Sequence, residues 1–352
     1  MQLKTVLVIN PGSTSTKLAV AQDGRLVRTV VLSHQADACG VTRSVWEELP
    51  KRLSQCRDWA VQHVRACDAV SAIGGLLRPL PGGTYLVSQK MLRDAQTGAR
   101  GQHASNLGCA IAEVLAKEFG CPAFVVDPVS VDEFEPIARY SGHPTIERKS
   151  LSHAISLHAA ARRAAIERAI PLEQSAFVIA HLGGGISVAA VRGGRIIDVN
   201  DAASDGPFSP ERTGSLPLQD FIGVCRAEGT TESSIRSFVM GKGGLVAYLG
   251  TNSVVEVESR IRRGDTEARD VLDAMAYQIA KEIGAMAAVL EGHLHAVVLT
   301  GGVARSALVS AAVERRVRSI APVLIYPGDD EMTALAQGAF RVLECTETAL
   351  EY

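Results

Sequence analysis

A strand that leads into a hydroxyl-rich turn and a lysine is the part of this sequence best suited to chemistry. Residues 6–9 are aliphatic and mostly β-branched, which predicts a buried strand. Residues 10–17 read N-P-G-S-T-S-T-K, and their hydroxyls, N–H groups and ammonium can hold a phosphate chain. The asparagine can position Mg²⁺, directly or through water. A plain turn is the alternative, and a Walker loop is excluded by its missing pattern. The expected ligand-binding residues here are Asn10, Ser13, Ser15 and Lys17.

The pattern of this segment occurs twice in the chain. Residues 6–31 and residues 177–199 each read as a strand, a small-residue turn, a second strand, a glycine-containing hairpin tip and a third strand. In each copy a polar residue ends the first strand, Asn10 in one and His181 in the other. The extra turn between the first two strands favours an internal duplication over two unrelated β-meanders.

The remaining elements must position these turns. Periodicity predicts helices at residues 44–65, 150–169, 266–291 and 331–345, and strands at residues 69–73, 123–126, 296–300 and 322–326. The helix at 266–291 has one stripe of large apolar residues and one of small residues, which predicts a central place in its domain. In the first helix, the apolar residues at spaced positions are Val45, Leu49, Leu53 and Val61.

Composition excludes several classes of protein. The 352 residues suffice for two domains, and 47% hydrophobic content supports ordinary cores. A net charge of −2 without a basic block disfavours nucleic-acid and anionic-membrane partners. No apolar run of about 18 residues predicts a membrane span. The seven cysteines are odd in number and lack zinc-site spacing, so we expect reduced thiols in a cytoplasmic protein without a signal peptide.

Eight short motifs, specific in combination, identify a family. The chain resembles the butyrate kinases of the acetokinase family, within the acetate and sugar kinase, Hsp70 and actin superfamily. The motifs are N-P-G-S-T-S-T-K at 10–17, H-A-S-N-L-G at 103–108, V-D-P at 126–128, H-L-G-G-G-I-S at 181–187, G-P-F-S-P-E-R at 206–212, G-K-G-G-L at 241–245, T-G-G at 300–302 and P-G-D-D-E-M at 327–332.

The resemblance implies an α/β fold of two duplicated actin-like (ribonuclease H-like) domains with a nucleotide cleft between them. We expect domains at residues 1–150 and 151–330, with the C-terminal helix, about 331–352, packed back on the first. The implied reaction is reversible phosphoryl transfer between ATP and a short-chain carboxylate such as butanoate, giving an acyl phosphate and ADP. The implied partners are these small molecules and Mg²⁺, in a homo-oligomer of two or more chains.

The resemblance also implies roles for single residues. His153 and Arg212 match residues that hold the transferring phosphoryl group, where charge neutralisation matters most. Asp127 matches a polarising carboxylate near the acyl group and the metal, and Asn10 and Glu331 lie near Mg²⁺. A carboxylate nucleophile is already ionised at pH 7, so no strong base is required. The residues expected to contact the nucleotide are Asn10, Ser13, Ser15, Lys17, His181, Gly183, Gly184, Gly185, Gly301 and Gly302.

One segment departs from the family pattern. Residues 71–77 read S-A-I-G-G-L-L where the pattern is V-G-R-G-G-L-L, so Ile73 replaces the arginine expected to grip the substrate carboxylate and phosphoryl group. Arg78 is one candidate replacement. Two alternatives to a butyrate kinase stay open: a nucleotide-binding regulator with weakened catalysis, and a kinase of a branched acid such as isobutyrate. The retained polar residues at the other motifs argue against the regulator.

Overall fold

A computed structural model of the protein describes residues 3–34, 44–98, 100–328 and 331–352. The chain divides into two compact units, Met1–Asp132 with Asp330–Tyr352, and Glu133–Asp329. The expected domain limits at residues 150 and 330 stay a prediction, and the first limit lies downstream of the division between the units. The C-terminal helix belongs to the first unit.

The first unit contains a six-stranded mixed sheet in the order β3-β2-β1-β4-β6-β5. Its strands are β1 (Thr5–Pro11), β2 (Ser15–Gln22), β3 (Arg25–Ser33), β4 (Ala69–Ile73), β5 (Thr84–Leu86) and β6 (Ala123–Val126). Its helices are α1 (Leu49–His63), α2 (Gln89–Thr97), α3 (Leu107–Phe119) and α11 (Glu331–Leu343). The strands β1, β4 and β6 are parallel, so their carboxyl ends meet at one edge of the sheet.

The two faces of β1 pack against different helices. Leu7 and Ile9 lie in a core cluster with residues of α1 and α3. Because side chains alternate along a strand, Asn10 lies on the opposite face, where its amide contacts the first residue of α11. The hydroxyl of Ser71 on β4 donates a 2.7 Å hydrogen bond to the carbonyl of Leu335 on this helix. The helix α11 thus covers the sheet face that carries Asn10.

The second unit contains a five-stranded mixed sheet in the order β11-β10-β7-β8-β9. Its strands are β7 (Ala176–Leu182), β8 (Ile186–Arg192), β9 (Arg195–Val199), β10 (Ala296–Gly301) and β11 (Val323–Pro327). Its helices are α4 (Ala154–Glu167), α5 (Leu218–Arg226), α6 (Glu232–Val239), α7 (Gly244–Leu249), α8 (Val254–Arg262), α9 (Thr266–Val289) and α10 (Ala307–Val317). The predicted long helix is confirmed as α9, with its apolar stripe buried against the sheet.

The two sheets repeat one topology. Each begins with an antiparallel meander, and the first strand of each then pairs in parallel with a later strand. Asn10 pairs with Lys17 across the first meander, and His181 pairs with Ser187 across the second. Each meander has a register shift three residues beyond that partner, after Val20 (17 to 20) and after Ala190 (187 to 190). This shared irregularity supports the duplication predicted from the sequence. No helix of the described residues could cross a membrane.

Candidate active site

The second unit brings His153, His181 and Ser187 together where β7 and β8 approach the start of α4. The imidazole rings of His153 and His181 stack, with centroids 4.2 Å apart and planes inclined by 21°. The oxygen Oγ of Ser187 lies 2.9 Å from His153 Nδ1 and accepts the His153 backbone N–H at 3.3 Å. The Ser187 hydroxyl can therefore donate to Nδ1, which leaves the single proton of a neutral His153 ring on Nε2. The predicted helix at 150–169 included His153. In the structure His153 is instead the N-cap residue that precedes α4.

The charge states of this cluster follow from its burial. Removal from water, then the His181 ring and the Arg212 guanidinium, hold the pKa of His153 well below its ordinary value of 6.5. His153 is therefore a neutral N–H donor at pH 7. Burial also lowers the pKa of Arg212, which nevertheless keeps its charge because the ordinary value is 12.5. The positive charge beside the imidazoles is thus carried by Arg212.

Arg212 lies against the glycine turn between β7 and β8. A Cβ on Gly185 would lie 2.3 Å from Nη1 and 2.5 Å from Cζ of its guanidinium, so only glycine permits this approach. Nη1 donates to the carbonyl of Ala202. The Arg212 backbone N–H donates to Ser209 Oγ at 3.1 Å, and that hydroxyl donates to the carbonyl of Gly184. Ser209 thereby ties the loop that carries Arg212 to the glycine turn.

A cavity of about 370 Å³ opens beside the same turn within the second unit. Its volume lies within the range of about 300–1,000 Å³ typical of small-molecule sites. Asn252 Nδ2 donates a 2.6 Å hydrogen bond to Glu211 Oε1 on its wall. The cavity is lined by Gly183, Gly184, Pro210, Glu211, Asn252, Val254, Val255, Gly302 and Val303. Two glycine segments that are far apart in the sequence therefore line one pocket.

Gly301 joins β10 to the wall of this cavity. Its φ of +93° lies in the left-handed region, and a Cβ there would lie 2.4 Å from the carbonyl oxygen of Leu182. Gly302 begins a short 3-10 turn, Gly302–Arg305. The T-G-G motif therefore lets β10 turn sharply beside the end of β7, which brings Gly302 to the pocket.

The first unit joins two predicted metal-site residues. Asn10 is 8% exposed at the end of β1, and its Nδ2 donates a 2.9 Å hydrogen bond to Oε2 of Glu331, the first residue of α11. In both units, then, the polar residue near the end of the first strand contacts the start of a helix: Asn10 contacts Glu331, and His181 contacts His153. Helix N-termini present N–H groups and favour anions.

The remaining phosphate-turn residues follow Asn10 directly. The turn is closed by a 2.7 Å hydrogen bond from the Gly12 N–H to the Ser15 carbonyl. Ser13 Oγ lies 3.2 Å from Nε2 of His103, which belongs to another predicted motif. Lys17 lies opposite Asn10 across the β1–β2 ladder. The structure thus groups Asn10, Ser13, Ser15 and Lys17 on one hairpin, as predicted from their spacing.

Asp127 follows β6 at the carboxyl edge of the first sheet. It is 2% exposed, its φ is +38°, and its Oδ1 accepts a 2.7 Å hydrogen bond from the Gly83 N–H. A non-glycine residue in the left-handed region is uncommon, and this conformation is held here by two bonds between Asp127 and Gly83. These hydrogen bonds to the Gly83 backbone therefore fix the position of the Asp127 carboxylate.

The structure places both residues in question at the segment that departs from the family pattern, Ile73 and Arg78. Ile73 ends β4, is 7% exposed, and pairs with Val126, the residue before Asp127. Arg78 forms a bidentate ion pair with Asp94 of α2, with bonds of 2.7 and 3.1 Å. This guanidinium is committed to α2, so the structure gives no support to Arg78 as the replacement for the expected arginine.

Sequence reasoning missed four residues that shape these sites. Ser187 and Ser209 lie inside the quoted motifs but carry no chemistry that distinguishes them from turn serines. Asn252 could not be linked to the glycine turn, because only tertiary structure brings it to Glu211. Arg52 lies on a predicted helix in which only the apolar residues were singled out. Its guanidinium donates hydrogen bonds to the carbonyls of Gly12 and Ser13 in the first turn.

Known proteins match this chain in sequence and in fold. The model of the acetokinase family matches residues 139–341. A probable butyrate kinase of Listeria monocytogenes serotype 4a (strain HCC23) is 47% identical over 351 residues, covering 99% of each chain. Butyrate kinase 2 of Clostridium acetobutylicum is 44% identical over 354 residues, again covering 99% of each.

Solved structures give the same fold. Acetate kinase of Porphyromonas gingivalis superposes with a TM-score of 0.78 at 18% identity, covering 97% of this chain and 100% of that one. A propionate kinase of Francisella tularensis superposes with a TM-score of 0.73 at 18% identity, covering 95% and 98%. These likenesses confirm the predicted actin-like α/β fold. The family match and the full-length relatives together show that the chain belongs to the acetokinase family.

Proposed function

We propose that this protein is a butyrate kinase, which transfers a phosphoryl group reversibly between ATP and butanoate. The observation that carries the proposal is the pairing of a charged Arg212 with a neutral His153 at a glycine turn, in a chain whose curated full-length relatives are named butyrate kinases. Both side chains suit the stabilisation of a phosphoryl group in transfer.

The proposed reaction follows from these groups. A carboxylate oxygen of the acid attacks the γ-phosphorus of ATP, the bond from that phosphorus to the bridging oxygen breaks, and ADP leaves with the electron pair. Arg212 neutralises charge on the equatorial oxygens, and the Nε2–H of His153 donates to one of them. No proton needs to be removed from the acid, because a carboxylate is ionised at pH 7.

The nucleotide is proposed to bind at the cavity of the second unit. Gly183 and Gly184 leave room for the phosphate chain, and Gly302 and Val303 line the part of the cavity suited to the nucleoside. The carboxylate of Glu211, held by Asn252, offers acceptors for ribose hydroxyls.

The first unit is proposed to supply the metal and acid contacts. The amide of Asn10 and the carboxylate of Glu331 offer the oxygen ligands that Mg²⁺ accepts, and no group of three His, Cys, Asp or Glu side chains suited to a metal occurs among the described residues. This fits Mg²⁺, which needs few protein ligands beside phosphates and water and would neutralise charge on the phosphates. Asp127 is proposed to polarise groups near the acyl end of the substrate.

An acid-panel assay tests the proposal. The purified protein is incubated with ATP, Mg²⁺ and hydroxylamine, and acyl hydroxamate is measured for acetate, propionate, butyrate, isobutyrate and valerate. We expect the highest kcat/KM for butyrate, since each buried methylene adds about 0.8 kcal/mol, roughly fourfold in affinity. Equal kcat/KM for acetate and butyrate would contradict a butyrate pocket, and a preference for isobutyrate would assign the branched acid. No hydroxamate with any acid would refute an acyl kinase.

Cytoplasmic location and self-association belong to the same proposal. The six cysteines in the described part of the chain are free thiols, which suits a reducing compartment. Light scattering of the purified protein would test the expected homo-oligomer, because a single-chain mass at assay concentration would contradict it.

A further inference from the structure

A buried arginine supports the phosphate turn of the first unit. Arg52 lies on α1 at 2% exposure, beside the small core residues Cys56 and Ala60 of the same helix. Charged side chains are almost never buried to this extent unless they are paired. Its partners must therefore explain why α1 turns this residue inward.

The guanidinium of Arg52 spans the turn. Nη1 donates to the carbonyl of Gly12 at 2.8 Å, and Nη2 donates to the carbonyl of Ser13 at 3.2 Å. Nη1 also lies 3.4 Å from Thr16 Oγ1. On the other side, Glu48 accepts from Nε at 2.8 Å and lies 2.6 Å from Nη2. A planar fork is suited to holding two neighbouring carbonyls at once, which a lysine ammonium is not.

This contact fixes the direction of two backbone N–H groups. In a planar trans peptide the C=O and N–H point in opposite directions. The Gly12 carbonyl shares its peptide with the N–H of Ser13, and the Ser13 carbonyl shares its peptide with the N–H of Thr14. Because Arg52 draws both carbonyls inward, both N–H groups point away from it. Within the part of the chain that the structure describes, neither N–H has a hydrogen-bond acceptor.

We propose that Arg52 is a positioning residue, which holds the turn so that the N–H groups of Ser13 and Thr14 can bind a phosphate group. The inference rests on the proposed kinase function and adds a residue to its machinery. Adjacent N–H groups that point the same way form an anion-binding concavity. The Arg52 guanidinium lies on the opposite side of the turn from these N–H groups, and Glu48, whose side chain is 46% exposed, is its ion-pair partner.

The test replaces Arg52 and compares ligands with and without phosphate. In Arg52→Met the side chain keeps its length and apolar stem but loses both donors to the turn. We expect kcat to fall by about 10²-fold, the loss typical of displaced reacting groups. We also expect ATP to bind more weakly while adenosine, which has no phosphate, binds as tightly as it does to the parent in calorimetry. Arg52→Lys keeps the charge but not the planar fork. Its kcat and its ATP affinity should lie between those of the parent and those of Arg52→Met.

Arg57→Met is the matched control. Arg57 lies on the same helix in a bidentate ion pair with Glu118, and both side chains are about 40% exposed. This variant should keep parental kcat and both affinities. A folded Arg52→Met with kcat within threefold of the parent would overturn the inference. So would equal losses of ATP and adenosine affinity, which a merely structural role would produce.

Three further outcomes keep the inferences separable. If Arg52→Met does not fold, Arg52→Lys carries the test, and parental kcat in that variant would overturn the role of the fork. If the parent phosphorylates no acid, the proposed function fails, and the difference between ATP and adenosine binding in the Arg52 variants still tests the turn. If the parent is active and the Arg52 variants keep its activity, only the inference about Arg52 fails.

Discussion

The Arg212 guanidinium lies so close to the Gly185 backbone that a Cβ on Gly185 would lie 2.3 Å from Nη1. The two residues are 27 positions apart in the sequence (212 − 185), and Ser209 connects their segments by bonding both. The position of the Arg212 charge beside His153 therefore depends on the absence of a side chain at residue 185.

Gly185→Ala should displace Arg212 and slow turnover without unfolding the protein. The new methyl group cannot share the space of the guanidinium, and a shift of about 1 Å in a reacting group can cost 10²-fold in rate. We expect kcat to fall by about that factor and the melting temperature to change little. The control is Gly284→Ala on α9, where a Cβ would meet no atom within 4 Å. Parental kcat in Gly185→Ala would contradict this role.

The low pKa of His153 should make stability depend on pH in one direction. The folded protein keeps this ring neutral below pH 6.5, whereas the unfolded chain binds a proton there. The free energy of unfolding should therefore fall as the pH drops below about 6.5, by at most about 1.4 kcal/mol per pH unit, until the folded pKa is reached. Above pH 7 this contribution is fully present.

Urea unfolding at pH 7.5 and pH 5.0 measures this effect. The parent should lose more stability between the two pH values than His153→Gln does. His293→Gln, which removes an exposed histidine, is the control and should behave like the parent. Equal losses in the parent and His153→Gln would show that His153 is not held neutral.

The sequence predicted the two turns better than the elements around them. The strand–turn–strand segments were predicted because β-branched runs and small-residue turns are local signals. Of the spaced apolar residues on α1, Leu49 and Leu53 pack against the core, whereas Val61 is 67% exposed; the buried residues of the helix are Arg52, Cys56 and Ala60. The burial of Arg52 was not predicted, because no local pattern reveals that turn carbonyls need a donor from this helix.

Tertiary contacts in the candidate site were likewise not predictable from local sequence patterns. The predicted residues Asn10 and Glu331 are brought together although 321 positions separate them, and motif resemblance alone suggested it. The contacts of Ser187 and Asn252 depend on strand register and loop packing, which periodicity does not encode. The glycine-rich segment after residue 240 contains the helix α7, whose start at Gly244 is set by contact with the loop that carries Arg212.

Removal of Arg78 should leave catalysis intact. Its side chain is 62% exposed and paired with Asp94, and an exposed ion pair contributes little to stability because solvent screens it. We expect Arg78→Ala to keep kcat within threefold of the parent and to lower the melting temperature slightly. Asp94→Asn, which weakens the same pair from the other side, should match it. A loss of more than tenfold in kcat would show that Arg78 reaches the substrate.

Restoring the family arginine tests the departure at β4. We expect the double variant Ala72→Gly with Ile73→Arg to raise kcat by more than tenfold, because one added charged donor in a transition state is worth up to about 10²–10³ in rate. Ile73→Met, which keeps size without charge, is the control. Unchanged or lower kcat in a folded double variant would show that turnover in this protein is not limited by the missing arginine.

The most direct test of the account is ATP formation from butyryl phosphate and ADP by the parent and by Arg212→Ala, with the ADP Kd measured by calorimetry for both. We predict measurable turnover in the parent, a loss of roughly 10³–10⁵ in kcat for the variant, and ADP Kd values within about threefold of each other. No ATP from the parent, or a folded variant within threefold of parental kcat, would contradict the account.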